Sequence, residues 1–168
     1  ANSYLKHEDL YKKESFYPLR AFVCSRCFLV QLEEFESPKK IFVEYAYFSS
    51  FSKTWLNHVK QFSEEVISRF GLDEKSRVIE IASNDGYLLK NFKEKSIPVL
   101  GIEPAKNIAK IANKNGIPTL PKFFDNNFAS ELVKKRKCVD LLIVFNVLPH
   151  VPKLNDFIKG LKKILKKN

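Results

Sequence analysis

The sequence predicts an α/β fold: a parallel sheet of Rossmann-like winding, preceded by a small zinc-ribbon-like hairpin. Three observations predict it. From Arg77 onward, short apolar runs alternate with amphipathic segments, and parallel strands need crossovers that helices supply with right-handed sense. The first run ends in a polar turn, Ser83-Asn84-Asp85-Gly86, with a helical pattern directly behind it. The second run ends in an acid, Glu103, about twenty residues later, where doubly wound sheets present ligand-binding side chains.

Residues 1–37 hold a polar lead and two strand-like runs, LRAFV and FLVQL, which bracket Cys24-Ser25-Arg26-Cys27. That spacing is a zinc knuckle, so Cys24 and Cys27 are candidate metal ligands; a structural site takes four, and this pair is half of one. Cys138 opens an apolar strand and reads as a buried thiol. Three cysteines without an export signal argue against a disulfide framework.

Residues 38–76 read as a linker and one long helix. The linker is aromatic, IFVEYAYFSSFS, and its YAYF alternates as a half-buried strand does. The helix TWLNHVKQFSEEVISRF carries Trp55, Leu56, Val59, Phe62, Val66, Ile67 and Phe70 on one stripe and stops at Gly71. In residues 77–168 the predicted strands are RVIEIA, PVLGIE, IPTL and CVDLLIVFNVL. The helices between and after them are YLLKNFKEK, PAKNIAKIANKN, NNFASELVKKRK and LNDFIKGLKKILKK.

The formal charge is +10, which invites a nucleic-acid reading. The two basic clusters, Lys134-Lys135-Arg136-Lys137 and LKKILKKN, instead fall late on predicted helices, where the dipole favours cations. They lack the interleaved aromatics of single-strand binders, so they read as solvated helix ends and argue against a nucleic-acid partner. No apolar run approaches the ~20 residues of a bilayer span, and the N-terminus lacks a signal-peptide core. Cytoplasm is the expected compartment, with no membrane partner.

The turn after the first strand decides the ligand class. A dinucleotide fingerprint needs three glycines, and only Gly86 is present. Ala82 and Asn84 stand where small or turn-forming residues are wanted, while Glu80 and Asp85 add negative charge that repels phosphate and favours a cation. S-adenosylmethionine is such a ligand, with a sulfonium, an ammonium and no phosphate. Glu103 then stands where an acid accepts hydrogen bonds from adenosine ribose hydroxyls.

Four segments, CSRCFLVQLEEF, YAYFSSFSKTWLNHVK, VIEIASNDGYLLKNFKEKSIPVLGIEPAKNIAKIANKNGIPT and FNVLPHVPKLNDFIKGLKKIL, closely resemble, in order, the zinc-containing S-adenosylmethionine-dependent sugar C-methyltransferases. The resemblance implies methylation at carbon 3 of a nucleotide-linked 4-keto deoxysugar. It implies that residues 77–168 are the N-terminal half of a class I methyltransferase domain and that residues 1–37 are the remnant of a zinc-binding hairpin. Glu80, Ala82, Ser83, Asn84, Asp85 and Gly86 match the cofactor loop, and Glu103 and Pro104 match the ribose strand. Asn146 and His150 match the segment facing cofactor and sugar, and Tyr45 or Tyr47 matches a sugar-pocket tyrosine.

The family pattern further implies a second cysteine pair upstream and a Tyr-His-Glu-His-type segment downstream that carries the general base. On that pattern the chain is expected to be a fragment that does not turn over alone, with zinc weak unless another ligand set completes the site. Phe145, Pro149 and Lys153 depart from the residues usual at their places and put the sugar-pocket geometry in question. Readings from other classes are a nucleic-acid methyltransferase or binder, and a non-catalytic module that pairs through an exposed fourth-strand edge.

Overall fold

The computed structural model describes residues 5–135 and 138–166. Arg136 and Lys137 of the first basic cluster, and Lys167 of the second, lie outside the described residues. None of the described helices is long and apolar enough to cross a membrane.

The hairpin forms as its cysteine spacing predicts. Strand β1 (Ala21–Val23) pairs antiparallel with β2 (Val30–Leu32), Ala21 opposite Leu32. The turn closes through Cys24 N–H to the Leu29 carbonyl (3.0 Å) and Phe28 N–H to the Cys24 carbonyl (2.9 Å). Every residue of both strands is exposed.

Helix α1 (Pro38–Phe42) starts on a proline, whose fixed φ suits a first turn. Residues 43–48 then run without regular structure, and a 3-10 turn, Ser49–Phe51, leads into α2 (Lys53–Phe70). Ser52 caps α2 by accepting from Trp55 N–H at 3.2 Å. Gly71 closes it at φ 59°, a left-handed conformation that glycine adopts without a Cβ penalty.

The sheet is parallel throughout, in the order β5-β4-β3-β6. Its strands are β3 (Val78–Ile81), β4 (Val99–Ile102), β5 (Thr119–Leu120) and β6 (Leu141–Val144). The crossovers are α3 (Leu89–Glu94), α4 (Lys106–Lys114) and α5 (Asn126–Lys134), and α6 (Leu154–Ile164) follows β6. The chain steps outward from β3 to β5, then returns to the other side of β3. The switch point therefore lies at the carboxyl ends of β3 and β6, the crevice in which such sheets take ligands.

Strand alternation divides the core. Val78 joins Val59 of α2 and Leu89 and Phe92 of α3 on one face. Ile79 and Ile81 join Leu132 of α5 and Phe157 and Ile164 of α6 on the other. Glu80 has the parity of Val78 and so enters the first face as a fully buried acid.

Several elements are shorter than their patterns predict, for local reasons. In the YLLKNFKEK segment α3 begins only at Leu89, because the turn continues through Gly86 N–H to the Ser83 carbonyl at 3.1 Å. Strand β6 keeps Leu141–Val144 of the longer run and gives way to Asn146 at φ 54°. Val139, ahead of it, makes an isolated parallel bridge to Leu165, which covers the amino end of the β6 edge.

Candidate cofactor and acceptor site

The turn after β3 is shaped by backbone that sidesteps a helix. Ala82 and Asn84 have φ of 55° and 49°, and Gly86 has φ 82°. At Gly86 a Cβ would stand 2.9 Å from Ile117, so that position tolerates no side chain on two grounds. Ser83 is wholly buried, and its hydroxyl fills the space left by Gly101 on β4.

Three acids converge there. All three, Glu80, Asp85 and Glu103, are buried. Glu103 Oε2 accepts from Asn84 N–H and Oε1 from Ala105 N–H, each at 2.9 Å. Each oxygen keeps a second lone pair, as a ribose acceptor requires. Among the described residues Ser83 Oγ and Asp85 Oδ1 have no hydrogen-bond partner, and Glu80 has only the Tyr87 phenol beside it. Burial, then the charges of Glu103 and Asp85, hold Glu80 far above the ordinary carboxylate range. Glu103 is also raised by burial, against the pull of its two backbone donors. The Tyr87 phenol beside them is pushed up by burial and by Glu80.

The remaining contacts of this turn reach backward in the chain. Asn84 Oδ1 accepts from Ser49 N–H at 3.0 Å, and Asn84 Nδ2 donates to the Tyr47 carbonyl at 3.1 Å. Ser50 Oγ donates to Asp85 Oδ2. Residues 43–50 are thus draped over the turn. The strand-like alternation of YAYF does not become a strand, because its backbone groups are taken by side chains of the sheet's carboxyl end. Local pattern gave no sign of Ser49, Ser50 or Tyr87 as parts of this site.

The predicted acceptor-side residues form one aromatic row. The rings of His150 and Phe42 are 5.7 Å apart, those of Phe42 and Tyr45 5.8 Å, and those of Tyr45 and Tyr47 6.5 Å. His150 ends a 3-10 turn, Leu148–His150, just past β6 and is exposed. Tyr45 is half-buried and Tyr47 exposed. Asn146 follows β6 by two residues, past the Ile81–Val144 pair that ends the β3–β6 register, and takes φ 54°. Pro104 links Glu103 to the turn before α4.

In the hairpin, N–H groups of Cys27 and Arg26 aimed at the Cys24 sulfur hold its thiol below the usual value. That favours the thiolate a metal needs, so the pair fits one side of a tetrahedral zinc site. Among the described residues no group of three or more His, Cys, Asp and Glu is arranged to hold a metal ion.

A doubly wound sheet whose first turn carries buried acids in place of a glycine-rich phosphate cradle is the fold of class I S-adenosylmethionine-dependent methyltransferases. The chain belongs to the methyltransferase-domain family, whose profile matches residues 55–168. A second profile, described as a candidate zinc binding domain, matches residues 1–42. The chain is similar to the C-methyltransferase NovU of Streptomyces niveus, 28% identical over 165 residues. That match takes in 98% of this chain but 39% of NovU, so the chain spans about two fifths of the relative's length.

Among solved structures, a candidate S-adenosyl-L-methionine-dependent methyltransferase of Methanococcus maripaludis superposes with TM-score 0.55 at 20% identity. The match covers 71% of this chain and 56% of that one. A S-adenosylmethionine-dependent methyltransferase of Archaeoglobus fulgidus gives 0.50 at 21%, over 66% and 48%. At these identities the likeness establishes the fold.

Glu80 yields a prediction whose sign is set by burial. Its folded pKa lies above the unfolded value of about 4.3, so the folded chain keeps a proton that the unfolded chain has released. Stability of the ligand-free protein therefore falls as pH rises from that value toward the raised one. Glu80→Gln should flatten this fall and gain on the order of 1–3 kcal/mol at pH 7–8. Urea unfolding at a series of pH values measures it; a wild-type profile level from pH 5 to 8 would rule out the buried proton.

Proposed function

We propose that this chain binds S-adenosylmethionine and serves a C-methyltransferase acting on a nucleotide-linked keto-deoxysugar. The observation that carries the cofactor reading is the buried trio Glu80, Asp85 and Glu103 at the switch point, in a turn with a single glycine and no basic residue. The unpartnered buried Oδ1 of Asp85, beside Glu80 and Glu103, fits a cationic ligand and disfavours a pyrophosphate.

When bound, S-adenosylmethionine supplies an electrophilic methyl on a sulfonium. The chain's own residues bind and orient. Glu103 orients the ribose with lone pairs left free by its backbone donors, and Gly86, Ala82 and Ser83 let the backbone come close. Carbon next to a ketone becomes nucleophilic only when its proton leaves and the enolate oxygen is held. His150 orients the sugar at that carbon, Tyr45 or Tyr47 presents a hydroxyl to the oxygen, and the general base comes from the downstream segment that the family pattern implies. Asn146 stands between the two sides. Cys24 and Cys27 hold one side of a structural zinc. Acceptor and cofactor are thereby kept in register, which in well-oriented systems lowers barriers by up to ~7–11 kcal/mol.

Calorimetry separates this reading from a dinucleotide enzyme on the same winding. S-adenosylhomocysteine should bind the purified chain, and NAD should not. Tighter binding of NAD would sink the proposal.

A further inference from the structure

We infer that Asn107 is a positioning residue that sets Tyr45, and with Asn84 sets Tyr47, relative to the cofactor turn. The inference rests on the function proposed above and deepens its acceptor side. Asn107 lies on α4, four residues after Glu103. Its carboxamide clamps the backbone of Tyr45, a residue 62 positions away: Oδ1 accepts from Tyr45 N–H at 3.1 Å and Nδ2 donates to the Tyr45 carbonyl at 2.8 Å. Such a bidentate side-chain clamp reproduces one rung of a sheet ladder. The adjacent Lys106 N–H donates to the Val43 carbonyl at 3.1 Å, adding a second rung.

The other end of the same stretch is pinned by Asn84, which grips the Tyr47 carbonyl and Ser49 N–H while its own N–H donates to Glu103. Asn84 is bonded to Glu103, and Asn107 lies four residues after that acid on α4. Residues 43–48 have no other regular structure to fix them, so these contacts decide where the Tyr45 and Tyr47 rings stand. The same clamp places Phe42 and, through ring contact, His150. Exposed hydrogen bonds of this kind add modestly to overall stability. Loss of Asn107 should loosen the stretch without unfolding the sheet.

Peptide-resolved amide exchange tests this on the ligand-free chain, with S-adenosylhomocysteine titrated separately. Asn107→Ala should speed exchange across residues 43–51 by about tenfold, as expected for two lost hydrogen bonds, and leave β3 and β4 protected. Asn107→Asp keeps the acceptor for Tyr45 N–H and should give a smaller change. S-adenosylhomocysteine affinity should stay within threefold in both variants, because Glu103 is untouched. Unchanged exchange in residues 43–51 would overturn the clamp. A rise spread equally over β3 and β4 would also overturn it, by making Asn107 a general stability residue. Failure of the wild-type chain to bind S-adenosylhomocysteine would remove the proposed function instead, a result the ligand-free exchange does not depend on.

Discussion

Glu103→Ala should weaken S-adenosylhomocysteine binding by at least about a hundredfold. The substitution removes the proposed ribose acceptor and strands the N–H groups of Asn84 and Ala105, which now donate to it at 2.9 Å. Hydrogen bonds to charged groups contribute roughly 1.5–3 kcal/mol each, and each 1.4 kcal/mol is tenfold in affinity. Because Asn84 also holds the Tyr47 carbonyl, the loss extends from the cofactor turn to the acceptor side. Glu103→Gln keeps one carbonyl acceptor and should fall between wild type and Ala. Titration calorimetry reads all three; an affinity for Glu103→Ala within threefold of wild type would remove Glu103 from the binding site.

A second large effect is expected from the smallest change available in the sheet, Gly101→Ala. Gly101 pairs with Glu80 on one side and Thr119 on the other, in the middle of β4. An added Cβ would meet the Ser83 hydroxyl at 2.4 Å and the Thr119 hydroxyl at 2.7 Å. Both neighbours are buried, so neither has open space to swing into. Overpacking of this kind typically costs about 1–3 kcal/mol. Here the group displaced is part of the cofactor turn, so S-adenosylhomocysteine binding should fall with stability. Thermal unfolding and calorimetry on the same sample measure both, and a variant as stable as wild type with full affinity would contradict the close packing of Ser83 on β4.

The core of the fold was legible because its determinants are local. Apolar runs such as VIEI and VLGI, bounded by turn residues, mark strands buried on both faces, and the helices between them fix the parallel order. The turn after β3 was legible as well, since Glu80, Asp85 and Gly86 lie within seven residues. What the sequence concealed is the course of residues 43–50. Their alternation says strand, yet their partners are Asn84, Asp85 and Asn107, residues at separations of 35 to 62. No periodicity within a window carries a contact of that reach. Asn84 and Asp85 were read as cofactor ligands, whereas their side chains also hold this stretch; both roles are open to Asp85, whose Oδ1 is unpartnered.

The draped stretch also bears on modularity. The two family profiles stop at residue 42 and resume at residue 55, as if a spacer joined two cassettes. The intervening residues 43–54 instead lie on the cofactor turn, capping Asn84 and Asp85 and starting α2 through Ser52. A spacer can be swapped or shortened without consequence, but this one is a shared wall. Exchange of residues 1–42 between relatives therefore has to carry residues 43–54 together with their matching asparagines. A chimera joined at residue 55 would set a foreign stretch 43–54 on the recipient's Asn84 and Asn107.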